Sequence, residues 1–275
     1  MSTHLVFTRR GAGLPNLSQL GSELQQTSTL QRYLWPCLPV LTVTTFCLSL
    51  GRVSYLVLAL ILLAHFIVSV TFTHDVVHGA AGFGARSNEW ILYAMSLLLL
   101  QSAHAFRQAH LHHHSHCLEE DDFEGGPARM SLPAALAAGP LYLLRHWQHA
   151  FQLAKNVKQK RWMQLEAGSV LLLILLALAL SDWSSRVLIY FACMWLGSWF
   201  YPLTTAWLPH FNPGAETLQQ ARTLRGRIIP MLLCNLSYHL EHHLYPQVPS
   251  YNLARLAKRL DPYFVQLGVR PVQVL

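Results

Sequence analysis

Four long apolar runs constrain the fold of this chain more than any other feature of its sequence. They cover residues 34–50, 53–72, 168–180 and 187–207. Two residues separate the first run from the second, and a short polar turn separates the third from the fourth. A helix that crosses a bilayer needs roughly 20 predominantly apolar residues, so each pair predicts a transmembrane hairpin. The third run is short and must recruit flanking residues to span.

A fifth apolar run, residues 90–100, is too short to cross a bilayer, and we expect a half-inserted or interfacial helix there. Two complete hairpins then place residues 73–166 and 208–275 on the same side as the N-terminus. Together with the first 32 residues, these segments hold 18 of the 20 Lys and Arg residues. By the positive-inside rule that side is cytoplasmic. We therefore expect a multi-pass integral protein of a bacterial inner membrane or an ER-type membrane.

The distribution of polar and apolar segments predicts one membrane domain between an N-terminal leader and a C-terminal tail. Residues 1–32 predict a polar leader, mobile or interfacial, without the pattern of a signal peptide. Residues 33–262 predict a single membrane domain, and residues 263–275 a C-terminal tail. The net charge of +7 agrees with positive cytoplasmic loops. Binding of nucleic acid is not expected, because the basic residues form no recognisable module with surface aromatics.

Three histidine clusters carry the chemistry of the sequence. They read HDVVH at residues 74–78, HLHHHSH at 110–116 and HLEHH at 239–243. Residues at positions i, i+3 and i+4 share one face of a helix, so each cluster predicts a comb of imidazoles. The combs consist of His74 and His78, of His110, His113 and His114, and of His239, His242 and His243.

The register of the middle cluster has an alternative. His112 and His116 are also four residues apart, on a face roughly opposite to that of His110, at about 100° per residue. The spacing shared with the last cluster favours His110, His113 and His114. His112 and His116 then face solvent or support the ligands, and either of them replacing a ligand stays open.

The number of histidines favours two metal ions over one. A zinc site uses three or four ligands, and eight histidines would leave half of them unused. Imidazole suits zinc, copper, iron and nickel, so the ligands alone do not select iron. A zinc hydrolase stays as an alternative, although HExxH and HxxEH are absent. The isolated histidines are expected to be structural residues: His4, His65, His104, His146 and His149.

The three clusters together resemble the histidine boxes of the membrane fatty acid desaturase superfamily, which includes carotenoid hydroxylases and ketolases. The strongest similarity lies in the stretch NLSYHLEHHLYPQVPSYNL at residues 235–253, which looks like the third box with its following tail. Residues 74–78 look like the first box and residues 107–114 like the second. The similarity covers roughly residues 35–262.

The resemblance implies a fold, cofactors and further ligands. It implies an all-α membrane protein with four transmembrane helices in two hairpins, the half-inserted or interfacial helix, and a cytoplasmic helical cap that holds a di-metal site. Two iron ions and O₂ as co-substrate follow from it. His210, just after the fourth run, is where the family places a further ligand, with Asn235 a secondary candidate. Asp75 and Glu241, inside boxes one and three, are candidates to orient the imidazoles. The acidic run Glu119, Glu120, Asp121, Asp122 and Glu124 is a further candidate, although most of its members are expected to form a solvated loop.

The resemblance implies an O₂-dependent oxidoreductase that introduces a double bond into fatty acyl chains. The same scaffold also serves hydroxylases or ketolases of carotenoid and other isoprenoid rings, and the sequence does not separate them. We expect a lipid-soluble substrate and a separate electron donor, such as a ferredoxin or a cytochrome b5-like carrier. A non-enzymatic metal-handling membrane protein is disfavoured because the apolar runs hold almost no charge, with only His65 deep inside.

Overall fold

The structure, a computed structural model, describes residues 13–275, so His4 and the first 12 residues of the expected leader lie outside it. The described chain is mostly helical. Its helices are α1 (Leu17–Leu20), α2 (Thr29–Ser49), α3 (Tyr55–Val77), α4 (Ala85–Leu99), α5 (Ala103–Ser115), α6 (Leu132–Leu153), α7 (Val157–Ala179), α8 (Arg186–Ser198), α9 (Leu208–His210), α10 (Ile228–Leu232), α11 (His239–Leu244) and α12 (Leu253–Gln266). Two short strands, β1 (Leu224–Arg225) and β2 (Val272–Gln273), pair in parallel.

By its internal contacts the chain divides into two compact units. The histidine unit consists of residues 13–27 with Ala109–Ala137 and Pro202–Leu275. The helical unit consists of Ser28–Gln108 and Ala138–Tyr201.

The helical unit contains two candidate membrane helices. Among the described residues, α3 and α7 are long and apolar enough to cross a bilayer. The third apolar run recruits flanking residues as expected, because α7 begins at Val157 rather than at Gly168. The fourth run is interrupted, since α8 ends at Ser198 and a π-helical turn begins at Pro202. Two helices can therefore span, or three if the interrupted pair is one span, and the four-span topology stays a prediction.

Local signals in the sequence explain where the long helices of this unit begin. Ser28 caps α2 by accepting a hydrogen bond from the Gln31 N–H, and Ser54 caps α3 in the same way. Asn156 and Gln159 form a reciprocal capping box at the start of α7. The antiparallel hairpin of α2 and α3 that the first two runs predict thus has a defined start for each helix.

Two helices of the helical unit refine the sequence prediction. The fifth apolar run forms α4, a helix of 15 residues, while its depth in the membrane stays a prediction. No apolar run predicted α6, a helix of 22 residues with Pro140 inside it. It approaches the end of α8 closely, because a Cβ on Gly139 would lie only 2.1 Å from the Trp199 carbonyl oxygen.

The core of the histidine unit contains part of the expected leader. Leu17, Leu20 and Leu24 are buried against α12, whose apolar residues recur at helical spacing and face them. The Asn252 amide also donates to the Leu24 carbonyl, at 2.9 Å. Residues 17–24 of the expected leader therefore contribute their leucines to this core. The domain boundaries themselves stay predictions.

The C-terminal tail also belongs to the core of the histidine unit. Phe264 is buried in the same cluster, and the pairing of Leu224 with Val272 joins the last residues to β1. The segment at residues 222–225 therefore contacts two elements. It pairs with β2, and its Arg222 carbonyl accepts the Leu240 N–H of α11.

Candidate metal centre

Helix α5 presents the second histidine comb to the interior of the histidine unit. His110, His113 and His114 are all buried, with 2–5% of each residue exposed. The Nε2 atoms of His110 and His114 lie 3.1 Å apart, as expected for side chains one turn apart on one face. The predicted register of this comb thus brings its three side chains together.

Two carboxylates hold the outer nitrogens of this comb. The His110 Nδ1 lies 2.7 Å from the Glu124 carboxylate, and the His113 Nδ1 lies 2.7 Å from the Asp122 carboxylate. Asp122 also accepts the backbone N–H of Gly125 at 2.9 Å. A side chain at Gly125 would not fit, since its Cβ would lie 2.1 Å from the Asp122 carboxylate. Carboxylates on the outer nitrogen are typical of metal-bound histidines, whose ring orientation they fix.

Four histidines from three segments form the first cluster of the site. Its members are His113 of α5, His210 of α9, and His239 and His243 of α11. The His210 Nε2 lies 3.2 Å from the Nε2 of His113 and 2.9 Å from that of His239. The Nε2 atoms of His239 and His243 are 3.0 Å apart. Each residue offers a nitrogen within 4.8 Å of every other.

A second group of histidines lies beside the first cluster in the same unit. It brings together His110, His114 and His242, whose ligand atoms also lie within 4.8 Å of one another. The His242 Nε2 is 2.9 Å from that of His114. The rings of His114 and His243 are stacked with centroids 4.3 Å apart, so the two groups are neighbours.

These contacts fit metal coordination better than hydrogen bonding. The Nδ1 atoms of His113 and His210 face oxygens that accept, a carboxylate and the Gln220 carbonyl, so these nitrogens carry the protons. Burial acts to lower the pKa of His113, but Asp122 and Glu124 outweigh it and raise that pKa. In the neutral form of the two rings, which is the form that binds a metal, both Nε2 atoms carry lone pairs that point at each other. Two nitrogens that each lie about 2.1 Å from one metal ion are roughly 3–4 Å from each other. The observed separations match this geometry.

Burial and neighbouring charges shift the pKa of two groups at the site, His243 of α11 and Asp122 of the loop after α5. Burial, followed by the neighbouring histidines, holds the pKa of His243 well below its ordinary value. Burial acts to raise the pKa of Asp122, but His113 and the backbone N–H donors outweigh it and lower that pKa. Neutral imidazole is the form that binds metals, and an ionised carboxylate offsets the charge of a cation.

The first histidine box lies in the helical unit, at the end of α3. His74 and His78 are buried one turn apart, with ring centroids 4.8 Å apart. Asp75 accepts a hydrogen bond from the Trp35 indole N–H at 3.2 Å, and its carboxylate lies 3.8 Å from the His74 Nδ1. Asp75 therefore links the end of α3 to α2 as well as lying beside the box.

The other two expected supporting residues, Glu241 and Asn235, bond to groups other than histidine rings. Glu241 is fully buried and accepts hydrogen bonds from Thr223 at 2.9 Å and from Arg225 at 2.6 Å. It thus ties α11 to the segment around β1. Asn235 lies in a turn with a φ of +65°, where its carbonyl accepts the Tyr238 N–H at 3.1 Å. This turn leads directly into the third box.

Other histidines of the described residues lie outside the two clusters. His112 and His116 form a half-buried pair with Asp121, apart from the combs. In the helical unit, His104 has a carboxylate near each nitrogen, Glu166 at 2.5 Å and Glu89 at 3.4 Å. His65 bonds to Thr42 and Tyr190. Glu166 lies in the candidate membrane helix α7. It was not predicted as a partner of His104, because the apolar run begins only at Gly168.

Comparison with known proteins identifies the family. The model of the fatty acid desaturase family matches residues 52–273, a stretch that contains all three histidine boxes, and the chain belongs to this family. No curated protein matches the chain. The resemblance that the boxes indicated is therefore confirmed, and the family indicates an oxidoreductase of the desaturase or hydroxylase type.

Proposed function

We propose that this member of the fatty acid desaturase family is an O₂-dependent di-iron enzyme that introduces a double bond into fatty acyl chains of lipids. The observation that carries the proposal is the pair of adjacent imidazole clusters in the histidine unit. Their facing Nε2 atoms have the spacing of metal ligands. Family membership supports iron over the other metals that imidazole binds.

The proposed ligand set contains nine histidines, of which seven belong to the two clusters described above. His74 and His78 join them on the strength of the family resemblance alone. Two iron ions at such sites supply the activation of O₂ for attack on an unactivated C–H bond. The protein holds the imidazoles in place, and Asp122 and Glu124 keep the outer nitrogens of His113 and His110 protonated and the inner nitrogens free.

The proposed reaction removes two hydrogens from adjacent methylenes and reduces O₂ to two molecules of water. It requires two further electrons and two protons, and we assign the electrons to a separate ferredoxin or cytochrome b5-like carrier. The acyl chain is expected to enter from the bilayer, because each methylene moved out of water contributes about 0.8 kcal/mol. We further propose a multi-pass topology with the metal centre on the cytoplasmic side, as the distribution of Lys and Arg indicates.

The proposal is tested by expressing the chain with an electron donor and profiling the lipids of the cells under ¹⁸O₂. A loss of two hydrogens from acyl chains, abolished in the His242→Ala variant, supports the desaturase. One ¹⁸O gained in an acyl or isoprenoid product would instead identify a hydroxylase or ketolase of the same family. Unchanged acyl and isoprenoid pools in the presence of an iron-loaded protein would contradict the proposal.

A further inference from the structure

Outside the two clusters, a second pair of histidines lies at the end of α5, with His112 inside the helix and His116 directly after it. His112 and His116 are one turn apart, and their rings stack with centroids 4.1 Å apart and 17° between the planes. Both are only partly buried, so a solute can reach them from outside. Two histidines at positions i and i+4 of a helix are a recurrent arrangement for binding one metal ion.

The loop after α5 returns an acidic side chain to this pair. Leu118 adopts a φ of +63°, and its N–H donates to the Asp122 carboxylate at 2.8 Å. Arg129 donates to the carbonyls of Leu118 and Glu119, both at 3.1 Å. In the loop fixed in this way, the Asp121 carboxylate lies 3.1 Å from the His112 Nε2.

Hydrogen bonds also set the tautomer of His116. Its Nδ1 lies 3.3 Å from the His112 carbonyl oxygen and 2.8 Å from the Ser115 hydroxyl. A carbonyl oxygen can only accept, so Nδ1 carries the proton and the Nε2 of the neutral ring keeps its lone pair. The nitrogen free to bind a metal is thus on the outer end of the ring.

We propose that His112, His116 and Asp121 bind one divalent transition-metal ion of the zinc class, separate from the iron centre. Their ligand atoms lie within 4.8 Å of one another. Two imidazoles and a carboxylate with a water in the fourth position form an ordinary zinc coordination set. The exposed Glu119 and Glu120 add negative charge beside it, which attracts a cation.

Asp121 lies directly before a residue that supports the iron centre. Its neighbour Asp122 holds His113 of the first cluster, so consecutive residues of one loop serve the two sites. Asp122 itself is held by the backbone N–H groups of Leu118 and Gly125. Loss of the peripheral ion is therefore expected to leave the support of the iron centre in place.

The test is a zinc titration of the full-length, iron-loaded protein in detergent, with a chromophoric chelator as competitor and elemental analysis of the product. Wild type is expected to take up one zinc per chain and to keep its iron. His116→Ala and Asp121→Asn should each lose that zinc while their iron content stays unchanged. Glu120→Gln, an exposed acidic neighbour, is the matched control and should retain the zinc.

Three results would overturn the proposal. Equal zinc uptake by wild type, His116→Ala and Asp121→Asn would show that zinc binds elsewhere. Zinc uptake that releases an equivalent of iron would place it in the main clusters. Loss of iron from His116→Ala would make this residue a ligand of the iron centre rather than of a separate site.

Discussion

The two units bury histidines in opposite ways. In the helical unit, His104 has both ring nitrogens close to carboxylates, those of Glu166 and Glu89, and it stacks on Trp162 with centroids 4.8 Å apart. In the histidine unit, His113 has one carboxylate on its outer nitrogen, and its inner nitrogen faces another imidazole at 3.2 Å.

This difference separates structural histidines from candidate ligands. A buried polar group is stable when every atom has a partner of the complementary kind. His104 has a carboxylate beside each ring nitrogen, at 2.5 and 3.4 Å, so it needs no metal ion. The Nδ1 atoms of His113 and His210 face acceptors, so in the neutral rings their facing Nε2 atoms meet that condition when a cation lies between them. The partner of the second nitrogen therefore says more about the role of a buried histidine than its burial does.

The largest effect is expected for His113→Ala compared with its neighbour His112→Ala. His113 contributes an inner nitrogen to the first cluster, whereas His112 pairs with Asp121 at the surface. We expect His113→Ala to lose more than about 100-fold in activity, since loss of an outer support alone costs 10–100-fold. His112→Ala should keep its iron. Iron analysis and turnover of both proteins check this, and equal losses would break the comparison.

A smaller effect is expected for Asp122→Asn compared with Asp121→Asn. The first variant removes the charge that holds the His113 Nδ1 at 2.7 Å. It should lower iron affinity or activity by about 10–100-fold. The second variant changes the adjacent residue, which does not contact the clusters, and should retain turnover. Chelator-competition curves for iron give the affinities, and identical curves for the two variants would contradict the assigned role of Asp122.

In the helical unit, Glu166→Gln tests stability rather than metal binding. Glu166 is fully buried and accepts hydrogen bonds from Ser96 at 2.6 Å and Ser102 at 2.5 Å, in addition to its contact with His104. Loss of its charged hydrogen bonds should cost roughly 1–3 kcal/mol of stability. Ser96→Ala, which removes one donor, is the milder control. A lower unfolding midpoint with iron per folded chain unchanged supports the comparison, and selective loss of iron would count against it.

The smallest effect is a change in acid stability for Glu89→Gln. Burial acts to raise the pKa of Glu89, but hydrogen bonds from His104 and Arg107 outweigh it and lower the pKa to about 2. Because the folded pKa lies below the ordinary value of 4.5, this contribution is complete above pH 4.5 and is lost as the pH falls towards 2. Unfolding midpoints across that range should fall less steeply for the variant than for wild type, and parallel curves would contradict this.

The helical parts of the site could be predicted from the sequence because helical periodicity fixes which histidines share a face. The combs on α5 and α11 were found in this way, and His210 from the family resemblance. The acidic run directly after the second box contains the two supporting carboxylates, Asp122 and Glu124. Which members of that run turn towards the histidines could not be predicted, because a loop has no periodicity.

The long helices likewise include parts that a local sequence pattern predicts and parts that it does not. Apolar runs predicted α3 and α7, but hydropathy alone did not show that α7 extends back far enough to contain Glu166. Burial of the leader leucines against α12 depends on contacts between the two ends of the chain, which no local pattern encodes. The π-helical turn at Pro202 likewise lies inside a run that is apolar throughout.

The most direct test of the central claim, that facing imidazoles mark the metal centre, is the iron and zinc content of the purified chain by elemental mass spectrometry. Wild type and the Glu166→Gln variant are predicted to hold two irons per chain, and His113→Ala and His242→Ala to hold less. A single zinc without iron in wild type, or iron retained in full by both histidine variants, would contradict the account.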